Sequence, residues 1–179
     1  MFPRGGGTLI LITGGARAGK SRFALAWAES SPCRRRLFVA TAVACDREMT
    51  TRIARHRRQR GRGWRTLEEP LHLPDRLPAS FLSSDSLLLL DCLPTFITNH
   101  LLKGCPPAQI LRRVRRLLRS LRRPGITSLW VTNEVGLGVV PDHPLGRTFR
   151  DLLGQVNQEV AKEADEVHWM ISGIPWRIK

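Results

Sequence analysis

Residues 8–29 read TLILITGGARAGKSRFALAWAE, and this stretch decides the fold. Residues 8–12 form an apolar, β-rich run that is typical of a buried strand. Residues 14–21 then match the pattern G-x-x-x-x-G-K-[ST], and residues 20–29 are compatible with a helix. An apolar strand, a glycine-rich loop and a helix in that order predict a P-loop, in which backbone N–H groups and the helix N-terminus hold phosphate.

The loop contains the residue types that phosphate binding requires. Glycines let the backbone amides turn towards phosphate oxygens, Lys20 reaches the β- and γ-phosphates, and Ser21 can ligate Mg²⁺. Asp91 follows the apolar residues 87–90 and is placed like the aspartate that manages the metal in P-loop enzymes, although a turn former or helix cap can also stand there. We expect Mg²⁺ to be required, because the triphosphate needs charge neutralisation. The predicted nucleotide-binding residues of the loop are Gly14, Gly15, Ala16, Arg17, Ala18, Gly19, Lys20 and Ser21.

The rest of the chain alternates between strand and helix patterns. Further apolar runs predict strands at residues 37–41, 87–90, 126–132 and 167–172. Helical patterns are found at residues 46–60, where Asp46 is the expected cap, and at 106–123 and 144–164. Residues 70–78 are predicted to be a loop, and residues 176–178 a terminal hairpin strand. This order predicts a single α/β domain over residues 1–179, with a RecA-like, mainly parallel sheet and helices on both faces.

Length and composition exclude several other classes. The chain has 179 residues, of which 42% are hydrophobic, and this is ordinary for one globular domain. No apolar run approaches the roughly 20 residues of a membrane helix, and residues 1–7 are too short for a signal peptide, so we expect a cytoplasmic protein. The four cysteines include no C-x-x-C pair, so no zinc site is indicated and reduced thiols are expected.

The charge is strongly positive. Lys and Arg number 29 against 15 acidic residues, which gives a net charge of +14. Such a charge favours anionic partners, namely nucleotides, phosphorylated substrates, nucleic acid or acidic surfaces. Two segments hold much of it. Residues 112–123 carry seven arginines with apolar residues at helical spacing, which predicts an amphipathic helix with its arginines in water, or alternatively a surface for an acidic or nucleic-acid partner.

The other arginine-rich segment, residues 52–65, also has seven arginines and contains His56. One interpretation is a solvated helix face with an unremarkable histidine. The other is covalent catalysis, because neutral imidazole is a good nucleophile towards phosphorus and cationic neighbours disfavour the imidazolium form. The arginines would also attract a triphosphate and stabilise a leaving pyrophosphate. Composition alone leaves both interpretations open.

Four segments of the chain together resemble one family. They are, in order, LITGGARAGKSRFA, ATAVACDREMTTRIARHRRQRGRGWRTLEEP, LLLLDCLPTFITN and VTNEVGLGVVPDHPLGRTFRDLLGQVNQEVAKEADEVHWMISGIPWRIK. Many proteins share a P-loop, but the combination of R-I-x-x-H-R, W-R-T-x-E and T-N-E-V-G-x-G-x-V-P is far more specific. These segments are similar to the bifunctional adenosylcobinamide kinase / adenosylcobinamide-phosphate guanylyltransferase family of cobalamin biosynthesis, and they cover most of the chain.

The resemblance implies two reactions in one protein. A kinase phosphorylates the aminopropanol hydroxyl of adenosylcobinamide with ATP or GTP, and a guanylyltransferase then moves GMP from GTP onto that phosphate, giving adenosylcobinamide-GDP and pyrophosphate. His56 stands at the position of the family's guanylylated histidine and is the implied nucleophile. Glu68 would accept hydrogen bonds from guanine, or alternatively serve only as a surface or capping glutamate. The other implied nucleotide contacts are Ala40, Thr41, Ala42, Arg57, Arg58, Gln59, Arg60 and Asp91.

Further expectations follow from the resemblance and from the residues outside the motifs. The resemblance implies a homotrimer with sites near subunit interfaces. Glu134, after the fourth predicted strand, is expected at the same crevice, where it would orient the substrate, act in phosphoryl transfer or serve the structure alone. The remaining histidines have no motif position, and structural roles are expected for His72, His100, His143 and His168.

Two alternatives remain at this stage. The first is a kinase without guanylyltransferase activity. The second is a P-loop ATPase or binding module that uses its arginine-rich segments on nucleic acid, although the chain has no recognisable RNA-binding signature.

Overall fold

The computed structural model describes residues 7–44, 47–61, 63–82 and 85–179. It gives the backbone alone for five residues of the helix at 47–59, namely Glu48, Arg52, Arg55, His56 and Gln59. The predicted cap Asp46 lies outside the described residues. The strands are β1 (Thr8–Gly14), β2 (Arg35–Ala40), β3 (Arg65–Glu68), β4 (Ser86–Asp91), β5 (Ile126–Val131), β6 (Glu166–Ile171) and β7 (Ile174–Arg177). The helices are α1 (Lys20–Ser30), α2 (Arg47–Gln59), α3 (Leu93–Leu102), α4 (Pro107–Leu121) and α5 (Pro144–Glu163).

The seven strands form one sheet in the order β3-β2-β4-β5-β1-β6-β7. Every neighbouring pair is parallel except β6 and β7, which are antiparallel. β5 lies between the P-loop strand β1 and β4, and its Val131 is level with Ile12 on one side and Asp91 on the other. The predicted α/β class with a mainly parallel sheet is confirmed.

Two apolar cores cover the two faces of the sheet. Successive side chains of a strand point to opposite faces, so Leu9 and Leu11 join one core while Ile10 and Ile12 join the other. The first core holds the buried sides of α3, α4 and α5. The second holds Ala24, Leu25 and Ala28 of α1. Fully apolar strands were therefore the correct signal for a sheet that is covered on both sides.

Two elements and one turn differ from the expectations. β3 and α3 were not predicted from the sequence. The terminal hairpin is present, but its turn is formed by Ser172 and Gly173, which both have positive φ angles of 50° and 88°, and the strand after it begins at Ile174. Two successive residues of positive φ are the signature of a tight type I′ hairpin turn.

The expectations about cysteines and membranes are also addressed by the described residues. Cys33, Cys92 and Cys105 are free thiols, and Cys45 lies outside the described residues. Among the described helices, none has both the length and the apolar character that crossing a bilayer demands.

Candidate functional site

The loop after β1 is shaped by two glycines with positive φ. Gly14 has a φ of 141°, and a Cβ there would stand 2.5 Å from the carbonyl oxygen of Met170 on β6. Gly19 has a φ of 90° directly before α1. Between them, residues 15–17 are exposed, as a phosphate-binding backbone must be. Lys20 is buried, and its Nζ donates to the carbonyl oxygen of Gly15 at 2.5 Å, so the loop curls around the lysine head.

The carboxyl ends of the parallel strands continue the site beyond this loop. Ala40 at the end of β2 is level with Asp91 at the end of β4. Thr41 is fully buried, and its hydroxyl group is satisfied there by Cys92. The hydroxyl donates to the carbonyl oxygen of Cys92 at 2.8 Å and accepts from the Cys92 N–H at 3.0 Å. The side chain of Thr41 thus joins the ends of two strands. Ala42 follows, half-buried, at the same edge.

A cavity of about 380 Å³ opens beside β3, and four of its six lining residues are polar or charged. Glu68, at the carboxyl end of β3, forms an ion pair with Arg57 of α2 across this cavity. Both side chains are more than half exposed, so a ligand can reach them. The lining residues are Arg57, Arg60, Gly61, Trp64, Thr66 and Glu68, and three of them were predicted as nucleotide contacts.

Arg60 is the most buried charge of this cavity. Only 5% of its surface is exposed, its guanidinium lies 3.8 Å from the centre of the Phe38 ring, and Nη1 donates to Thr66 Oγ1 at 3.3 Å. Burial lowers the pKa of Arg60 and the positive charge of Arg57 lowers the pKa further, whereas the carboxylates of Asp91 and Glu68 raise it. The cavity is therefore open to solvent at Arg57 and Glu68, whereas the guanidinium of Arg60 is held on its buried side.

The backbone of α2 carries the remaining predicted residues of this region. Position 56 lies one helical turn before Arg60 and directly before Arg57. The side chains of His56 and Gln59 lie outside the described residues. Arg58 is exposed, and its Nε donates to the Ala54 carbonyl oxygen at 3.5 Å.

Glu134 lies beside the P-loop and is joined to it by a hydrogen-bond network that was not predicted from the sequence. Its N–H donates to the Gly14 carbonyl oxygen at 3.3 Å, and its Oε1 accepts from Thr13 Oγ1 at 2.7 Å and from Asn157 Nδ2 at 3.3 Å. Asn157 is a buried residue of α5. The sequence signal that could have identified Asn157 is its polar side chain on the apolar helix face that Leu153, Val156 and Val160 define.

In the second arginine-rich segment, three of the seven arginines pair with carboxylates from other parts of the chain. Arg115 of α4 pairs with Glu159, Arg116 with Asp75 and Arg122 with Asp165, all at the surface. The apolar side of α4 is buried, as predicted, through Ile110, Val114, Leu117, Leu118 and Leu121. The amphipathic interpretation of this helix is therefore confirmed.

The four histidines outside the motifs have structural surroundings. His100 is buried against Phe96, with Nδ1 2.9 Å from the Phe96 carbonyl oxygen, and burial lowers its pKa. His143 caps α5, since Nδ1 accepts from the Leu145 N–H at 3.2 Å. His168 Nε2 lies 2.9 Å from Glu166 Oε2. His72 is exposed, and its backbone N–H donates to Glu69 Oε1 at 2.8 Å.

The oxygen donors near the loop fit Mg²⁺ that is bound together with phosphate. Ser21 stands in the first turn of α1, and Asp91 ends β4. Within the described ranges, no group of three or more His, Cys, Asp or Glu residues could hold a metal ion by itself. Mg²⁺ characteristically takes one or two protein ligands and completes its shell with water and phosphate oxygens, so this sparse set suits it.

The fold and the loop define a class, the P-loop nucleotide-binding proteins with a RecA-like sheet. Solved structures agree on the fold. The chain superposes with a TM-score of 0.57 on a prototypical ATPase from the type III secretion system of pathogenic bacteria, at 12% identity over 90% of this chain and 50% of that one. It superposes with a TM-score of 0.56 on a Pyrococcus horikoshii protein, at 8% identity over 99% of this chain and 88% of that one.

Sequence comparison narrows this class to one family. The profile of the family described as cobinamide kinase / cobinamide phosphate guanyltransferase matches residues 10–178. The bifunctional adenosylcobalamin biosynthesis protein CobU of Salmonella typhimurium is 39% identical over 96% of this chain and 99% of its own length. The bifunctional adenosylcobalamin biosynthesis protein CobP of Pseudomonas aeruginosa is 42% identical over 94% of this chain and 96% of its own length. The chain belongs to this cobinamide kinase / cobinamide phosphate guanyltransferase family, as the resemblance of its motifs predicted.

Proposed function

We propose that this protein phosphorylates adenosylcobinamide and then transfers GMP from GTP onto the resulting phosphate, as its family's description indicates. One observation supports the proposal: one sheet carries two separate sites suited to phosphate, with strands β2, β4 and β5 between them. The P-loop follows β1, and the arginine-lined cavity of α2 and β3 reaches the carboxyl end of β3 at Glu68. A P-loop alone is sufficient for a kinase. The arginine-lined cavity is the additional site that a nucleotidyl transfer requires.

In the kinase step the nucleotide lies with its triphosphate along residues 14–21. Lys20 contacts the β- and γ-phosphates, and the loop N–H groups hold their oxygens. The substrate hydroxyl attacks the γ-phosphorus, a new O–P bond forms, and the bond to the β–γ bridging oxygen breaks. The nucleoside diphosphate leaves with that electron pair. Ser21 and Asp91 are the residues that would hold Mg²⁺, which when bound neutralises the triphosphate charge.

In the transfer step His56 acts as the nucleophile. A ring nitrogen attacks the α-phosphorus of GTP, an N–P bond forms, and pyrophosphate leaves with the bonding pair. A phosphate oxygen of adenosylcobinamide phosphate then displaces the histidine and gives adenosylcobinamide-GDP. Arg57 and Arg60 favour both halves, since their charge stabilises the leaving pyrophosphate and the pentacoordinate phosphorus. Glu68 accepts hydrogen bonds from guanine and so selects GTP for this step.

The proposal extends to a cytoplasmic homotrimer. The described surface includes an apolar edge at β7, where Ile174, Trp176 and Ile178 are more than half exposed. Trp176 also stacks on Trp169, with ring centroids 6.2 Å apart. Such an edge is suited to burial between subunits. Light scattering should give a mass of three chains, and a monomer at micromolar concentration would contradict this part.

Covalent labelling tests the proposal. Protein is incubated with Mg²⁺ and GTP labelled at the α-phosphate, then denatured, and the bound label is counted. We expect acid-labile, alkali-stable label from α-labelled GTP and none from γ-labelled GTP. The His56→Ala variant should lose the label, while the matched control His72→Ala should retain it. A folded, GTP-binding wild type that takes no label would remove the guanylyltransferase assignment and leave a kinase.

A further inference from the structure

Glu134 is held in one orientation by groups from two other elements. Thr13, the penultimate residue of β1, donates to Oε1 at 2.7 Å, and Asn157 of α5 donates to the same oxygen at 3.3 Å. Asn157 is fixed in turn, because its Oδ1 accepts from Thr132 Oγ1 at 2.7 Å and its Nδ2 also donates to the Asn133 carbonyl oxygen at 2.9 Å. A carboxylate on the segment after β5 thus gains the rigidity of the sheet and of a helix.

The same bonds leave the second carboxylate oxygen available. Oε2 of Glu134 makes no hydrogen bond with any residue in the described ranges, and the side chain is partly exposed. Because carboxylate oxygens are strong acceptors, an ordered Oε2 that meets solvent is suited to a donor on a ligand.

The strand order decides what this oxygen can reach. β5 lies between β1, which leads into the P-loop, and β4, which ends at Asp91. The Glu134 N–H bonds to the carbonyl oxygen of Gly14, the first residue of the loop motif. The carboxylate therefore stands at the rim of the phosphate site, three residues beyond the level of Asp91. Ligands of open parallel sheets bind beyond the carboxyl ends of such central strands.

The segment after Glu134 indicates which substrate, the nucleotide or the phosphate acceptor, binds next to this carboxylate. Leu137, Val139 and Val140 are apolar and exposed, with Val139 at 94% of its full accessibility. A nucleotide offers little apolar surface to these side chains, whereas a bulky acceptor with a large apolar ring system offers much. The exposed apolar side chains that follow Glu134 in the chain are therefore better suited to the acceptor of the phosphate than to its donor.

On these grounds we infer that Glu134 is the general base of the kinase step, with Asn157 and Thr13 as its positioning residues; this inference rests on the proposed function. Oε2 accepts the proton of the substrate hydroxyl as its oxygen attacks the γ-phosphorus. The O–H electron pair forms the new O–P bond, the nucleoside diphosphate takes the pair of the broken P–O bond, and the proton passes from Glu134 to solvent after product release.

The test separates the two reactions of the protein. Glu134→Gln keeps an oxygen for Thr13 and Asn157 but removes the base, so kcat for phosphorylation of cobinamide should fall about 100- to 10,000-fold with little change in KM. GTP affinity and covalent guanylylation from α-labelled GTP should stay within about twofold of wild type, because no substrate hydroxyl takes part in them. Glu159→Gln, a carboxylate of α5 paired with Arg115 at the surface, is the matched control and should retain full activity.

A double-mutant cycle tests the positioning residue. Asn157→Ala should lower kcat roughly tenfold in the wild-type background and leave it unchanged in the Glu134→Gln background, because it acts only through the carboxylate. Effects that multiply in the double variant would show that Asn157 merely supports the fold, which contradicts the positioning role.

The remaining outcomes are also decisive. A Glu134→Gln variant that loses guanylylation together with phosphorylation would show a role in nucleotide or metal binding and overturn the assignment. A fully active variant, or one with a raised KM alone, would overturn it as well. A wild type that phosphorylates no corrinoid would overturn the proposed function itself and the inference with it, and this is distinguishable because the wild type is measured first.

Discussion

The helices α2 and α4 are both rich in arginine, yet their charges have different surroundings. On α4 and at its C-terminal end, Arg115, Arg116 and Arg122 each pair with a carboxylate from another part of the chain at the surface. On α2, Arg57 also pairs with a carboxylate, Glu68, but Arg60 beside this helix is buried against Phe38, and both arginines line a cavity. The two segments have nearly the same composition, so the comparison teaches that the surroundings of a guanidinium, and not the local composition, decide whether it is suited to bind an anion.

The largest effect is expected from the buried guanidinium of the first segment. Arg60→Ala should slow covalent guanylylation by about 100-fold, because a buried guanidinium fixed in place stabilises the developing charge better than one that is free in water. Single-turnover labelling with α-labelled GTP measures this rate. Arg119→Ala on the exposed side of α4 is the matched control and should behave as wild type. Equal losses in both variants would show that total charge, and not location, controls the reaction.

The second effect compares two carboxylates that each pair with an arginine. Glu68 pairs with Arg57 at the cavity, and Glu159 pairs with Arg115 on α4. Glu68→Gln should weaken GTP binding about tenfold and leave ATP binding unchanged, because only guanine offers adjacent N1–H and 2-amino donors to the two oxygens of a carboxylate. Glu159→Gln should alter neither affinity. Calorimetric titration with both nucleotides measures this, and a parallel loss of ATP affinity would mean that Glu68 serves the ion pair and not the base.

A smaller effect concerns folding stability at the end of α4. Asp165 accepts from the Leu9 N–H at 2.7 Å and from Arg122 at 2.5 Å. Burial raises the pKa of Asp165, but these hydrogen bonds and the positive charges of Arg122 and Lys179 outweigh it, so the net pKa is lowered. Asp165→Asn should therefore cost about 1 kcal/mol of unfolding free energy at neutral pH.

The direction of the Asp165 pKa shift determines how this stabilisation depends on pH. A carboxyl with a lowered pKa in the folded state stabilises the fold above its unfolded pKa, near 4, and loses that contribution as the pH falls through the folded pKa. The difference between wild type and Asp165→Asn should thus shrink below about pH 4 in urea titrations. A difference that stays constant down to pH 2 would rule out this charge-dependent contribution.

The smallest effect is expected from three exposed arginines of α4 and its C-terminal end, Arg112, Arg119 and Arg123. Replacing all three by Gln should leave both activities unchanged and raise stability by a few tenths of a kcal/mol, because like charges one turn apart repel. Thermal unfolding and the two assays measure this. If the wild type binds DNA with a steep salt dependence and the triple variant does not, α4 is a nucleic-acid surface and the contrast with α2 disappears.

The sequence predicted the central strands well because each is an uninterrupted apolar run. It missed β3, whose residues RTLE are largely exposed and pair with β2 alone at the edge of the sheet. It missed α3 because that helix is apolar on most sides and follows a strand of leucines directly, so no amphipathic period marks it. Periodicity identifies an element only where one side of it meets water.

The site could be predicted only in part, for a related reason. The loop at residues 14–21 is contiguous in sequence and was therefore visible. The contact between Glu134 and Thr13 joins residues 121 positions apart, and that between Glu134 and Asn157 joins residues 23 apart. Likewise, nothing local in residues 112–123 shows that three of their arginines meet Asp75, Glu159 and Asp165. Only the folded topology brings such groups together.

The position of β1 within the sheet has a consequence for how the protein is made. Its two partners are β5 and β6, which begin at Ile126 and Glu166, whereas the loop that β1 supports begins at Gly14. A chain leaving the ribosome therefore presents its nucleotide loop long before any strand exists to brace it. Pairings across such long separations form late and slowly. The strand β1 is synthesised before both of its partners, and a chain that ends before β5 contains the whole motif without the neighbouring strands that hold the loop in place.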